Sequence, residues 1–191
     1  MEKRNFLISI AVLASGLTAC SSAPPRVSGE VRASSPPSNP ILPSAPPPGE
    51  PPGSDAIERL LATDRDPRRT EIALAALSQV GTPYAWGGHS PTTGFDCSGL
   101  VAYVYRRTSK LVLPRLAGAQ ARAARPIEPA DLRAADLVFY NTLGEEFSHV
   151  GIYIGQERFV HAPATGSWVQ IARISAPYWR ARYNGARRVI T

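Results

Sequence analysis

The 191-residue chain predicts an α+β domain, with N-terminal helices packed on a C-terminal antiparallel β-sheet. Three observations lead there. Apolar residues recur at three- and four-residue spacing, between helix-capping signals, from Asp66 to Arg107. From Leu137 onward the pattern changes to short β-type runs divided by Gly144, Gly155, Gly166 and Pro177. The stretch before both, Pro24 to Pro52, is crowded with proline and holds no aromatic residue, so it has nothing from which to build a core.

Taken in order, the chain begins with Lys3 and Arg4, an apolar run from Phe6 to Leu17, and then Leu17-Thr18-Ala19-Cys20. The run is too short for a stable membrane span and ends in small residues, the pattern of an export signal. Its last four residues resemble the lipobox of bacterial lipoproteins. That resemblance implies cleavage before Cys20, lipidation of its sulfur and amino group, and, with Ser21 rather than Asp following, a place in the outer membrane facing the periplasm. The organisation expected is a signal over 1–19, a proline-rich tether over 20–54 and a folded domain over 55–191. A fully extended tether reaches on the order of 100 Å.

Ser54 and Asp55 suit the cap of a short helix carrying Ile57, Leu60 and Leu61. Asp66-Pro67 pairs an N-cap with proline at the first helical position, and the helix runs to Val80, where Gly81 ends it and Pro83 forbids continuation. Tyr84-Ala85-Trp86-Gly87-Gly88 reads as a groove-shaping loop, with Trp86 expected to cover the core. The next helix opens at Cys97 and proceeds through Leu100, Val101, Val104 and Tyr105 to Arg106-Arg107, which suit its C-terminal end. Beyond Leu113-Pro114-Arg115 and an alanine-rich turn over 120–124, strands are expected over 137–140, 149–154, 158–161, 169–174 and 186–190. A short helical turn over 176–180 precedes the last of them.

The chemistry centres on Cys97. A thiol in the first turn of a helix faces unpaired backbone N–H groups and the positive end of the macrodipole, which favour its thiolate. Asp96 suits the N-cap, Gly94 a left-handed turn, and Gly99 leaves room beside the thiol for a substrate backbone. The chain has two cysteines, and with Cys20 lipidated Cys97 is a solitary thiol in an oxidising compartment, where structural cysteines come in pairs. A Cys20–Cys97 disulfide would tie the tether to the core for little gain. A hairpin across Gly155 could bring His149 and His161 to one end of the sheet, although sequence does not fix the register; where His149 faces the Cys97 helix it can take the thiol proton and His161 can orient it. Tyr84 is a candidate donor to a carbonyl or oxyanion. His89 belongs to the rim.

Phe95-Asp96-Cys97-Ser98-Gly99, Ser148-His149-Val150-Gly151-Ile152-Tyr153 and Phe159-Val160-His161-Ala162 follow in that order, before Pro177-Tyr178-Trp179 and Gly185-Ala186-Arg187-Arg188-Val189. The pattern resembles the NlpC/P60 family of cell-wall cysteine peptidases over 69–190. The resemblance implies a papain-like fold, a Cys97-His149-His161 triad, an oxyanion site at Tyr84 and the Cys97 N–H, and no cofactor or metal. It also implies peptidoglycan stem peptides as substrate, cut at a D-alanyl–diaminopimelate or a γ-D-glutamyl–diaminopimelate amide. The loop Leu113-Pro114-Arg115-Leu116 has an apolar residue where relatives often carry Ser or Thr. The expected partners are peptidoglycan and, through Cys20, a membrane; the expected state is a monomer.

Formal net charge is +6, but the arginines are scattered and lack the aromatic interleaving of a nucleic-acid platform, so nucleic-acid binding ranks low. Zinc also ranks low, because no close-spaced chelating pair is present. Two other readings stay open: a non-catalytic lipoprotein that binds peptidoglycan or recruits a hydrolase, and a cysteine amidase or acyltransferase acting on lipid.

Overall fold

The computed structural model describes Glu58 and residues 65–190. The expected signal, the lipidation site at Cys20, the tether and, apart from Glu58, the short helix after it lie outside the described residues. No helix among the described residues is long and apolar enough to cross a membrane.

Helix α1, Pro67–Leu77, starts where Asp66 accepts a hydrogen bond from the Arg68 N–H and Pro67 occupies a position whose N–H would have no helical partner. It stops at Ser78, short of the Gly81 expected from sequence, and Gly81 instead takes φ +90° in the turn beyond. Its buried stripe of Arg69, Ile72, Ala73, Ala76 and Leu77 follows the helical period. Two short strands, β1 (His89–Ser90) and β2 (Gly94–Phe95), form an antiparallel ladder that sequence patterning did not anticipate, because two-residue strands carry no period.

Helix α2, Cys97–Ser109, buries Leu100, Val101, Val104 and Tyr105 against the sheet and ends at Lys110 in the left-handed conformation. The alanine-rich turn is a helix, α3 (Ala117–Ala123). Six strands then make one sheet: β3 (Arg125–Ile127), β4 (Leu137–Tyr140), β5 (His149–Gly155), β6 (Arg158–His161), β7 (Gln170–Arg173) and β8 (Tyr183–Arg188), in the order β3-β8-β4-β5-β6-β7, with every pairing antiparallel. Strand β3 was not expected, and β8 starts three residues earlier than sequence placed it. Helix α4, Pro177–Arg180, is the expected turn.

The sheet has an apolar cluster on each face. Leu137, Phe139, Val150, Ile152 and Val160 pack with α1 and α2. Val138, Tyr140, Tyr153, Phe159 and Ala172 pack with Trp179 of α4. Alternation along each strand sends neighbours to opposite faces. His149, His161 and Gln170 fall in step with the second set, and both histidine rings contact Trp179.

Charged groups join the ends of this layer. Asp136, fully buried, accepts from Arg69 Nη1 at 3.2 Å, from Arg188 Nε at 2.8 Å and Nη2 at 2.7 Å, and from the Arg133 N–H at 2.8 Å. Arg69 also donates to the Ile190 carbonyl at 2.6 Å. A buried carboxylate with this many donors is compensated rather than stranded.

Candidate active site

Asp96 organises the site. In extended conformation it caps α2 by accepting from the Gly99 N–H at 2.7 Å, while its other oxygen accepts from the Gly87 N–H at 3.0 Å. It thereby ties the loop after Tyr84 to the helix that carries Cys97. Arg115 closes an ion pair on the same carboxylate and donates to Ser98 Oγ at 2.9 Å. Gln120 holds the Arg115 loop from behind, donating to the Ser98 and Pro114 carbonyls at 3.0 and 2.9 Å. The roles of Arg115 and Gln120 are not legible in the sequence, because their partners lie 6 to 22 residues away and leave no local signature.

Two glycine expectations separate here. Gly94 takes φ +92°, as its place before the helix predicts. Gly99 leaves no room for a substrate: a Cβ there would lie 2.0 Å from the Gly88 carbonyl oxygen, so the space is taken by the loop itself. Trp86 does not cover the core. It is 82% exposed, at the lip of the cleft.

Cys97 stands at the first position of α2, free and partly buried, in a cleft of about 430 Å³ whose walls include Tyr84, Trp86, Arg115, Leu116, Leu143 and His149. A larger groove, about 720 Å³, runs past Tyr103 and Arg106, but no cysteine or histidine lines it. His149 opens β5 and faces the cleft; His161 ends β6, fully buried behind it. His149 Nε2 and His161 Nδ1 are 3.1 Å apart, leaving His149 Nδ1 as the nitrogen available to the cleft. The three residues that sequence singled out therefore converge, with Tyr84 lining the same cleft as Cys97. His89 is exposed and lies outside this cleft, its Nδ1 3.3 Å from the Gly87 carbonyl oxygen.

Trp179, buried, was noted in sequence only as part of a motif. It stacks on His149 with ring centroids 5.4 Å apart and planes 27° from parallel, and meets His161 edge-on at 4.8 Å and 79°. Tyr140 and Phe159 pack in turn on Trp179. Gly151 makes this possible, since a Cβ there would come within 2.5 Å of the Phe159 ring.

The electrostatics favour a neutral resting pair. Burial pushes the Cys97 thiol up to about 11, with the Asp96 carboxylate adding to the rise, against the pull of the backbone N–H groups of Val150, Ser98 and Cys97. Burial lowers the His149 imidazole to about 4, opposed in part by Asp96. The helix terminus expected to favour a thiolate is present, but desolvation outweighs it. Burial, then the Cys97 and Asp96 charges, raise the Tyr84 phenol, which keeps its proton to donate. Among the described residues, no group of three or more His, Cys, Asp and Glu side chains is placed to hold a metal ion.

Residues 81–188 match the model described as the NlpC/P60 family, more than half of the chain. The chain belongs to the NlpC/P60 family. It is 47% identical over 128 residues to the murein DD-endopeptidase MepH of Escherichia coli (strain K12), a match covering 65% of this chain and 47% of that protein. It is 36% identical over 131 residues to the gamma-DL-glutamyl hydrolase of Bacillus subtilis (strain 168), covering 68% of this chain and 32% of that protein. Among solved structures, an NLP/P60 family protein of Staphylococcus aureus, described as similar to lipoprotein, superposes with a TM-score of 0.60 at 39% identity. That match covers 67% of this chain and 43% of the other. The chain thus spans half or less of the length of these relatives. The helices and antiparallel sheet described above are the α+β, papain-like fold of NlpC/P60 domains.

Proposed function

We propose that this chain is a cysteine peptidase of the cell envelope that hydrolyses an amide bond in peptidoglycan stem peptides or their cross-links, with Cys97 as nucleophile, His149 as base and His161 as its orienting partner. The observation that carries this reading is the convergence of Cys97 and His149 on one cleft with His161 3.1 Å behind. Neutral Cys97 gives its proton to His149 Nδ1 as the sulfur attacks the carbonyl carbon, so no stable ion pair has to form beforehand. The oxyanion is met by the Cys97 N–H and the Tyr84 hydroxyl. The tetrahedral intermediate collapses to a thioester as His149 returns the proton to the leaving amine. A water molecule, deprotonated by the same nitrogen, then releases the acid and regenerates the thiol.

Similarity to the murein DD-endopeptidase MepH supports the D-alanyl–diaminopimelate cross-link as the bond cut, with the γ-D-glutamyl–diaminopimelate bond as the second choice. The N-terminal reading belongs to the same proposal: a signal over 1–19, lipid on Cys20, a tether over 20–54, the catalytic domain over 55–191, and a monomer anchored in the outer membrane and facing the periplasm. No cofactor takes part.

The test is incubation of the purified chain and its Cys97→Ala variant with diaminopimelate-type sacculi, with products identified by mass spectrometry. Conversion of cross-linked dimers to monomers by the wild type alone is the expected result; cleaved stems would move the assignment to the second bond. Equal release by both proteins would leave a peptidoglycan-binding or hydrolase-recruiting protein.

A further inference from the structure

The histidine pair poses a question of proton placement. For His149 Nδ1 to act as a base, the proton of its neutral ring must sit on Nε2, which then donates to His161 Nδ1 across the 3.1 Å contact. His161 must accept at Nδ1, so its own proton sits on Nε2. That atom is fully enclosed and has no hydrogen-bond partner. A buried N–H without an acceptor is costly, and nothing else would hold His161 in this tautomer against the opposite one, which would place a proton on His149 Nδ1 and disable the base.

The sheet indicates where an acceptor stands. Strand β6 lies between β5 and β7, and His161 turns its Nδ1 edge toward His149 on β5, so the opposite ring edge, with Nε2, faces β7. Directly across from His161 in the β6–β7 register is Gln170. Directly opposed residues carry their side chains on the same face, about 5 Å apart at Cβ. Gln170 is 2% exposed, and its Nε2 is likewise buried without a hydrogen-bond partner. Two donors meeting there could not satisfy each other. A half-turn of the carboxamide, which changes neither shape nor volume, replaces the donor by an acceptor.

We propose that Gln170 is a positioning residue of this site, its carboxamide oxygen accepting from His161 Nε2–H and so fixing the tautomer that leaves His149 Nδ1 free to take the Cys97 proton. The inference rests on the reading of His149 as the base. It extends the relay to four side chains: Cys97, His149, His161 and Gln170. Other groups around the pair do not supply the acceptor. Asp96 and Cys97 face His149 from α2, and Arg115 is engaged by Asp96. Tyr140 lies on β4, beyond β5 and on the far side of the sheet order from Gln170, with Tyr183 on β8 farther still. Trp179 and Phe159, in contact with the His161 ring, present aromatic faces and edges.

The experiment is nitrogen NMR on the full chain labelled with ¹⁵N-histidine, which reports the tautomer of His161 directly, followed by the same spectra and pH–rate profiles for Gln170→Met and Gln170→Glu. Expected for the wild type is a protonated, slowly exchanging Nε2 and an unprotonated Nδ1. Gln170→Met, close in volume but lacking the acceptor, is expected to lose that slow exchange and lower kcat roughly five- to tenfold, with KM changing less than twofold. Gln170→Glu restores an acceptor and adds charge, so it is expected to keep the Nε2 proton and move the acid limb of kcat/KM upward. A wild-type His161 protonated on Nδ1, or a Gln170→Met protein with the wild-type tautomer and exchange rate, overturns the proposal. The wild-type spectrum is read before any substitution, so a variant that fails to fold leaves the proposal open to refutation. The tautomer is also read without substrate, so inactivity toward sacculi would count against the proposed function and leave this result standing.

Discussion

Asp96 carries more of the site than its single side chain implies, because it is at once helix cap, loop anchor and the nearest fixed negative charge to the reacting pair. Its carboxylate raises both the Cys97 thiol and the His149 imidazole, so neutralising it lowers both. Asp96→Asn keeps a capping oxygen. For this variant, both limbs of the kcat/KM–pH profile are expected to move to lower pH, measured by initial rates across the pH range; limbs that stay in place would show that the charge does not reach the pair. Trp179 is the other residue with a signed expectation. A π face on His149 favours the imidazolium that the proposed mechanism forms by about 1 kcal/mol. Trp179→Leu is therefore expected to lower kcat more than it raises KM, and Trp179→Phe to recover part of the loss. Cys97, His149 and His161 stood out in sequence as candidates because nucleophile and base chemistry admits few residue types, and the fold brings the three together. Trp86 was misjudged as core because exposure is a property of where a loop lies, and residue type does not encode it.

At the scale of elements, the site depends on how closely the Gly88 loop approaches α2. Gly99→Ala would place a methyl group 2.0 Å from a backbone oxygen that has no freedom to move, being hydrogen-bonded to the Asp96 N–H at 3.1 Å. The expected outcome is a loss of 2 kcal/mol or more in urea unfolding, roughly the cost of overpacking a tight contact, with activity falling as Asp96 shifts. Helices α1 and α2 were readable from their caps, Asp66-Pro67 and Asp96, and from apolar spacing. The β1–β2 ladder, α3 and β3 were not. Their segments are short, and what settles them is contact with a neighbour: β3 pairs with β8 some sixty residues away, and α3 is secured by Gln120 to the α2 segment.

The whole molecule responds to pH through the same burial that tunes the site. Neutral, buried His149 titrates near 4 when folded and at about 6.5 when unfolded. The unfolded chain therefore binds the proton first. Stability is intact above about pH 6.5 and falls as pH drops toward 4, by roughly 3 kcal/mol from this group, with His161 lowered in the same direction. Urea midpoints at pH 7 and pH 4.5 measure this, and the double variant His149→Gln, His161→Gln is expected to flatten the dependence. The other whole-molecule device is Asp136, which joins α1 to the C-terminal strand through Arg69 and Arg188. Asp136→Ala leaves two guanidinium groups without their buried partner, and a loss of about 3–5 kcal/mol in unfolding free energy is expected. By itself the sequence determined the helical half and the strand-rich half, the helix that presents Cys97, and the candidacy of Cys97, His149 and His161, because caps, periodicity and side-chain chemistry are local. The tertiary structure alone decided the order of strands, the aromatic packing on the histidines, the Arg115–Asp96 pair and the burial that raises the Cys97 thiol and lowers the His149 imidazole. These depend on which distant residues exclude water from one another, and desolvation cannot be read along a chain.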